Sequence, residues 1–259
     1  CNTFLLEKGS ELGGLASLIS KIPAKNRLAD FPHYLMHRAE QLENLYIFTN
    51  TEGTPENIRK FHPNIIVSST GSAPLLPPIA GLKDRIDNED YNIYSILGMI
   101  NHINDFPKDL EGKKVVVVGG GAVGLDVVEF FADRNADISI VEMMDQIGRD
   151  LDPVSKNDTK AMMKKHNVHQ LTKTALLEVK DSSFLVKGDG EPYELPFEYG
   201  FVCLGMRAQG QLYQSLAEEF SSEDVEIMNI GDSQRARRII DGTQEGRNIL
   251  TILEQRGYL

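Results

Sequence analysis

The run Lys114 to Gly124, KVVVVGGGAVG, limits the fold of this chain more than any other stretch. Val115 to Val118 is a continuous β-branched run bounded by glycines, as expected of a strand buried on both faces. The next six residues, Gly119 to Gly124, fit the spacing G-x-G-x-x-G. They lead into a helical stretch to about Arg134 and then a second apolar run, Ile138 to Glu142. In such a strand-turn-helix-strand unit each glycine has its own task. Gly119 permits the tight turn, Gly121 lets the backbone approach a pyrophosphate, and Gly124 lets helix and strand pack closely. The phosphates would lie on the free N–H groups around Gly121, Ala122 and Val123, at the positive end of the helix dipole. Glu142 follows Gly124 by 18 residues (142 − 124), the place of an acid that accepts hydrogen bonds from a ribose diol. A carboxylate there repels a 2′-phosphate, and neighbouring Met143 and Met144 supply no cation. NADH is therefore expected, with NADPH less favoured.

Composition narrows the function classes. A length of 259 residues corresponds to about two domains. Thirty-eight acidic against 27 basic residues give a net charge of −11, the wrong sign for a nucleic-acid backbone or an anionic membrane. No apolar run approaches the roughly 20 residues of a membrane helix. The two cysteines, Cys1 and Cys203, form neither a CxxC nor a metal spacing. His33 and His37 stand four apart without a third ligand. No metal site is expected, a reducing cytoplasm is the expected compartment, and no side chain declares itself catalytic.

Elsewhere, Thr3 to Glu7 reads as a strand, Arg27 to Glu43 as a helix interrupted by Pro32, Thr54-Pro55 as a helix start, and Ile65 to Ser69 as a strand running into Thr70-Gly71. Residues 72 to 82 hold three prolines and a glycine and are read as a crossing between domains. Helices are expected over 91–101, 156–166 and 237–255. A faint internal repeat relates TFLLEKGSELG to ISIVEMMDQIG: in each, a glutamate (Glu7, Glu142) ends an apolar run and a Leu-Gly or Ile-Gly pair follows at the same offset. On this analogy the glycine loop feeding Glu7 would end about 18 residues before it, ahead of Cys1. The first domain is accordingly expected to lack its opening strand and glycine loop.

Five segments carry a family resemblance: FLLEKGSELGG, KIPAK, the STG at Ser69 to Gly71, VVVVGGGAVGLDVVEFFADRNADISIVE and IGDSQRARRIIDGTQEGRNI. Over nearly its whole length the chain resembles the C-terminal half of the NADH:flavin oxidoreductase / 2,4-dienoyl-CoA reductase / trimethylamine dehydrogenase family. The resemblance implies an FAD-binding and an NAD(P)H-binding domain. It also implies an N-terminal TIM barrel with FMN and a 4Fe-4S cluster, neither of which this sequence contains. It makes Glu7 the acid on the adenosine ribose of FAD, with Lys8 beside it, and Gly13-Gly14 a close-approach turn. Thr70-Gly71 is placed near the flavin nucleotide and Asp232, after Gly231, at a ribityl hydroxyl. Arg238 and Ile239 are placed at the start of a helix facing the isoalloxazine or pyrophosphate.

The expected fold is thus α/β, with two Rossmann-like three-layer FAD/NAD(P)-binding domains, the second inserted in the first. Residues 1–108 plus 200–259 form the FAD-type domain and 109–199 the NAD(P)H-binding domain. The expected function is electron entry: hydride passes from NADH to FAD and onward to an Fe-S/FMN barrel that reduces an unsaturated small molecule. The alternative is a non-catalytic ADP- or nucleotide-binding scaffold. No nucleic-acid or membrane partner is expected, and assembly into a homo-oligomer is compatible with the sequence.

Overall fold

The computed structural model describes residues 1–258. Its strands are β1 (Thr3–Leu6), β2 (Leu45–Phe48), β3 (Ile65–Ser68), β4 (Ser72–Pro74), β5 (Ile93–Tyr94), β6 (Lys114–Val118), β7 (Asp137–Val141), β8 (His169–Leu171), β9 (Ala175–Val179), β10 (Ser183–Lys187), β11 (Tyr193–Pro196), β12 (Tyr199–Val202), β13 (Met206–Ala208) and β14 (Glu226–Asn229). The α-helices are α1 (Gly14–Ile19), α2 (Asp30–Glu40), α3 (Pro55–Arg59), α4 (Leu82–Arg85), α5 (Ile96–Asn101), α6 (Ala122–Ala132), α7 (Pro153–Lys165), α8 (Gln211–Glu219) and α9 (Ile239–Gln255).

The chain forms two compact units. The inserted unit comprises Ile22–Ala24 and Pro74–Gly205; the outer unit comprises Cys1–Lys21, Lys25–Ala73 and the chain from Met206. These boundaries differ from the sequence expectation of 108/109 and 199/200. The reason is a short, non-local pairing. β5 is only two residues long, but Gly200 and Phe201 of β12 pair with its Ile93 and Tyr94. Phe106 then packs edge-on against Phe131 and Tyr199. Residues 74 to 108 therefore belong to the inserted unit.

The inserted unit is built on a five-stranded parallel sheet of order β5-β12-β6-β7-β8. β6 lies at its centre and is buried on both faces, as its unbroken valine run requires: Val115 to Val118 are all at most 3% exposed. α6 packs across β6, β7 and β12, and its Phe131 meets Phe201 and Phe130 at centroid distances of 4.8 and 5.0 Å. A three-stranded antiparallel sheet, β11-β10-β9, completes the unit. Phe184 and Val186 from it share a buried cluster with Val116, Val118 and Val202.

The outer unit differs from a continuous three-layer domain. Its longer strands form two separate parallel ladders, β1–β2 and β3–β14. Phe61, four residues ahead of β3, touches Phe4 of β1 and Phe48 of β2 at 4.9 and 5.4 Å. α8 covers the second ladder, burying Leu216 and Phe220 against Ile66. Arg59 on α3 stacks over Phe220 and bonds both Glu219 and Glu223.

Local signals explain most element ends. Thr54 caps α3 by accepting from Asn57 N at 3.2 Å, with Pro55 in the first turn. The helix expected over 27–43 is split: Pro23–Ala29 is a 3-10 turn, and α2 starts late enough that Pro32 falls in its first turn, where the missing N–H costs nothing. The helix expected over 91–101 begins only after β5, where Ser95 caps α5. Phe131→Ala removes a fully buried ring from the aromatic centre of the inserted unit. We expect a loss of about 3–5 kcal/mol in urea unfolding followed by far-UV circular dichroism.

Candidate functional site

In an open parallel sheet, ligands bind beyond the carboxyl ends of the strands where the strand order reverses. Here the reversal falls between β6, which continues to β7 and β8, and β12 on its other side. The loops that meet there are Gly119 to Gly124 after β6 and Cys203 to Gly205 after β12.

Backbone contact requires glycine at two of these positions. Gly119 has φ +110°, and a Cβ on it would overlap the Cys203 carbonyl. A Cβ on Gly124 would overlap the Gly119 carbonyl, so α6 could not seat on β6. Gly121 is different. Its φ is −79°, it caps α6 without a side-chain bond, and a Cβ there would meet nothing within 4 Å. Nothing in the protein itself demands a glycine at 121. The space in front of it is open, and the first-turn N–H groups of Ala122, Val123 and Gly124 have no partner within the helix. This cradle fits the pyrophosphate of a dinucleotide.

Glu142 sits on the same turn. Its Oε2 accepts from Gly120 N at 2.6 Å, and its Oε1 accepts from Met144 N at 2.7 Å. Gly148 N in turn donates to Gly120 O at 2.7 Å. Lys173 N and Thr174 N strap the following segment through Met144 O and Glu142 O, both at 2.9 Å. The carboxylate thus has a fixed orientation, with lone pairs left over for hydroxyl donors.

Sequence reasoning missed the opposite wall of this crevice. Gly205 has φ +99° and open space around a would-be Cβ. The signal was a glycine just after a strand end, as at Gly119. Cys203 N donates to Val118 O at 2.7 Å, and the residue is 6% exposed. Burial, reinforced by Asp126 and Asp87, pushes this thiol up to about 12. Its raised pKa makes the folded state relatively less stable as pH rises from about 9 toward 12, because the unfolded thiol ionises first.

The outer unit holds the remaining sequence-derived residues in two groups. In the first, Glu7 Oε1 accepts from Gly9 N at 2.6 Å, Lys8 pairs with Glu52 at 3.0 Å on the surface, and Gly13 and Gly14 adopt φ +105° and +51°. In the second, Thr70 Oγ1 donates to Gln209 O at 2.6 Å, and Gly71 O accepts from Gln209 N at 3.0 Å. The next residue, Ser72, donates through Oγ to Asp232 Oδ2 at 3.0 Å, while Arg237 N donates to Asp232 Oδ1 at 3.0 Å. Arg238 caps α9, its N–H bonded to Asp241 at 3.0 Å, and Ile239 is exposed.

Glu245, also missed, ties this second group together. It accepts from Gly231 N at 2.6 Å and from the Arg237 guanidinium; the Gly231 N–H and then Arg237 hold its carboxyl below the usual range. The Asp232 carboxylate keeps acceptor capacity beyond its two donors, which fits a polyhydroxylated ligand such as the ribityl chain of FAD. Among the described residues, no group of three His, Cys, Asp or Glu could hold a metal ion. No helix among them is long and apolar enough to cross a membrane.

The pyridine nucleotide-disulphide oxidoreductase family matches residues 42–228, and the chain belongs to that family. Similar curated proteins are a metal reductase of Desulforamulus reducens (26% identical, 93% of this chain, 39% of the relative), an NADH oxidase of Thermoanaerobacter brockii (25%, 93%, 36%) and a bilirubin reductase of Mediterraneibacter gnavus (26%, 93%, 35%). Among solved structures, a 2-naphthoyl-CoA reductase superposes with TM-score 0.79 at 22% identity, covering 95% of this chain and 35% of that one. A histamine dehydrogenase from Rhizobium sp. 4-9 gives 0.77 at 15%, covering 95% and 38%. The FAD- and NAD(P)H-binding character that the sequence resemblance implies is borne out by this family match. The chain is thus a pyridine nucleotide-disulphide oxidoreductase domain, a class that implies FAD and NAD(P)H, and it spans 35–39% of the length of these curated relatives.

Gly121→Ala separates ligand binding from folding. We expect stability within about 0.5 kcal/mol of wild type, because the new methyl group meets no protein atom. NADH affinity should fall at least about tenfold in a fluorescence titration, the equivalent of about 1.4 kcal/mol. For the thiols, alkylation at pH 8 should label exposed Cys1 and leave Cys203 intact until the protein is denatured, as read by mass spectrometry.

Proposed function

We propose that this chain is the electron-entry module of a larger cytoplasmic flavin oxidoreductase, one that takes reducing equivalents from NADH and delivers them to a partner domain. The observation that carries the reading is the Gly119 to Gly124 turn, with Gly121 free of any protein neighbour and Glu142 bonded onto the turn. In the inserted unit, the first-turn amides of α6 bind the pyrophosphate and Glu142 accepts the ribose hydroxyls. The carboxylate at that sugar excludes a 2′-phosphate, so NADH is taken in preference to NADPH. In the outer unit, Glu7 accepts hydroxyls of an adenosine ribose. Ser72 and the Arg237 N–H orient the Asp232 carboxylate toward a ribityl hydroxyl.

When bound, FAD supplies two-electron acceptance from a nicotinamide and one-electron release to further carriers, while the protein supplies position and electrostatics. The partner domain is proposed to be an Fe-S/FMN barrel acting on an unsaturated small molecule. Support for it lies in the resemblance and in the share of the relatives' length that this chain spans.

Titration of the protein with each nucleotide, followed by nicotinamide fluorescence, tests cofactor choice. NADH should bind more tightly than NADPH, and equal affinities would overturn the assignment of Glu142. Glu142→Ala should weaken NADH by roughly 10–100-fold, the value of hydrogen bonds to a charged group, and erase the preference over NADPH.

A further inference from the structure

Exposure divides the methionines of this chain. Of the eight in the sequence, Met99, Met163 and Met228 are buried, and Met36, Met162 and Met206 are half-buried. Met143 and Met144 are the two exposed ones among the described residues, at 67% and 40%. They are adjacent, and they directly follow Glu142.

The backbone that carries them is fixed. Met144 N donates to Glu142 Oε1 at 2.7 Å, and Met144 O accepts from Lys173 N at 2.9 Å. On the other side of Met143, Glu142 O accepts from Thr174 N at 2.9 Å. Two apolar side chains thus stand in solvent on a strapped segment. A ligand can cover them without first ordering the chain, which lowers the entropic cost of binding.

Strand order says which part of a dinucleotide arrives there. The glycine turn follows β6 and Glu142 follows β7, so the step from phosphate to ribose runs from β6 toward β7, away from β12. The base on that ribose continues in the same direction, past Glu142, to the segment strapped by Lys173. A purine is a flat ring whose polar groups lie at its edges, and thioethers make favourable contacts with aromatic rings. This placement rests on the reading of the cleft as an NADH site.

We infer that Met143 and Met144 form the adenine platform of this cleft and are a modification site within it: peroxide converts their thioethers to sulfoxides, and the sulfoxides weaken NADH binding. The step balances with peroxide as the sole co-reactant. A sulfur lone pair attacks one peroxide oxygen, and the O–O bond breaks as the S–O bond forms. The second oxygen departs as hydroxide and takes up a proton to leave as water. Sulfur is oxidised and the peroxide is reduced. Each sulfoxide carries a polar oxygen toward a purine face that offers it no donor, so covering it costs dehydration that the thioether does not incur. Neither side chain is part of the buried core, so the fold is untouched. The modification is also reversible, because methionine sulfoxide reductases restore the thioether.

The full chain, with Cys1 alkylated beforehand, is treated with hydrogen peroxide, and its sulfoxides are mapped by mass spectrometry. NADH affinity is read by nicotinamide fluorescence before and after. It should fall at least about fivefold, the lower end of the cost of covering a polar group that gains no partner. Methionine sulfoxide reductases should restore it. Saturating NAD⁺ should slow sulfoxide formation at Met143 and Met144 at least about fivefold, because oxidation follows exposure. The double variant Met143→Leu, Met144→Leu is the comparison: whatever its starting affinity, peroxide should leave that affinity where it was. Unchanged affinity in protein carrying both sulfoxides would overturn the inference. So would an equal loss in the double variant, which would place the sensitive group elsewhere, or an absence of sulfoxide at both positions. The cofactor reading fails in a different way. An untreated protein that binds no NADH removes both, whereas affinity that is lost in Glu142→Ala but indifferent to the sulfoxides removes the methionine platform alone.

Discussion

The inserted unit depends on how closely three pieces of backbone meet at the carboxyl end of β6. Gly119 lies against the Cys203 carbonyl, Gly124 lies against the Gly119 carbonyl, and Gly120 donates to Glu142. Any side chain at 119 or 124 would push apart β12, β6 and α6, which together carry much of the buried core. The same approach leaves the first amides of α6 pointing into free space. Packing and the proposed anion cradle thus come from one constraint, which calls for no cationic side chain. That matters for a chain of net charge −11: the attraction for a phosphate is confined to one turn of backbone instead of spread over a basic surface.

The outer unit orders its acidic groups by a different means. Asp232 lies on a turn held from three places: by Ser72 at the start of β4, by Arg237 ahead of α9, and, through Gly231, by Glu245 of α9 itself. Gly242 of α9 faces Gly231, where a would-be Cβ would lie 3.5 Å from the Gly231 Cα, an ordinary van der Waals contact. The carboxylate is therefore oriented before any ligand arrives, which lowers the ordering cost that a ligand must meet.

What could be read from the sequence follows from how local each signal is. The glycine turn, the buried valine strand and Glu142 lie within 29 consecutive residues, and each obeys a short-range rule. Thr54-Pro55 was legible as a cap for the same reason. The boundary between the units was not, because it depends on a two-residue strand, Ile93–Tyr94, pairing with residues more than 100 positions later. Glu245 and Ser72 escaped notice because their partners lie 14 and 160 residues away, and nothing in their immediate surroundings sets them apart. The 3-10 turn ahead of α2 shows a third limit: the apolar spacing of Leu28, Phe31 and Leu35 fits a helix, but spacing alone does not say where the backbone enters one.

The bond between Glu142 and Gly120 joins two recognition tasks in one side chain. The carboxylate proposed to accept the sugar hydroxyls also fixes the amide turn proposed to hold the phosphate. A small molecule carrying only the nucleoside and another carrying only the diphosphate would each meet a turn ordered by the same carboxylate. Their separate affinities would then not sum to that of the whole dinucleotide, and the difference would measure how strongly this single contact ties the two ends of the cleft into one binding event.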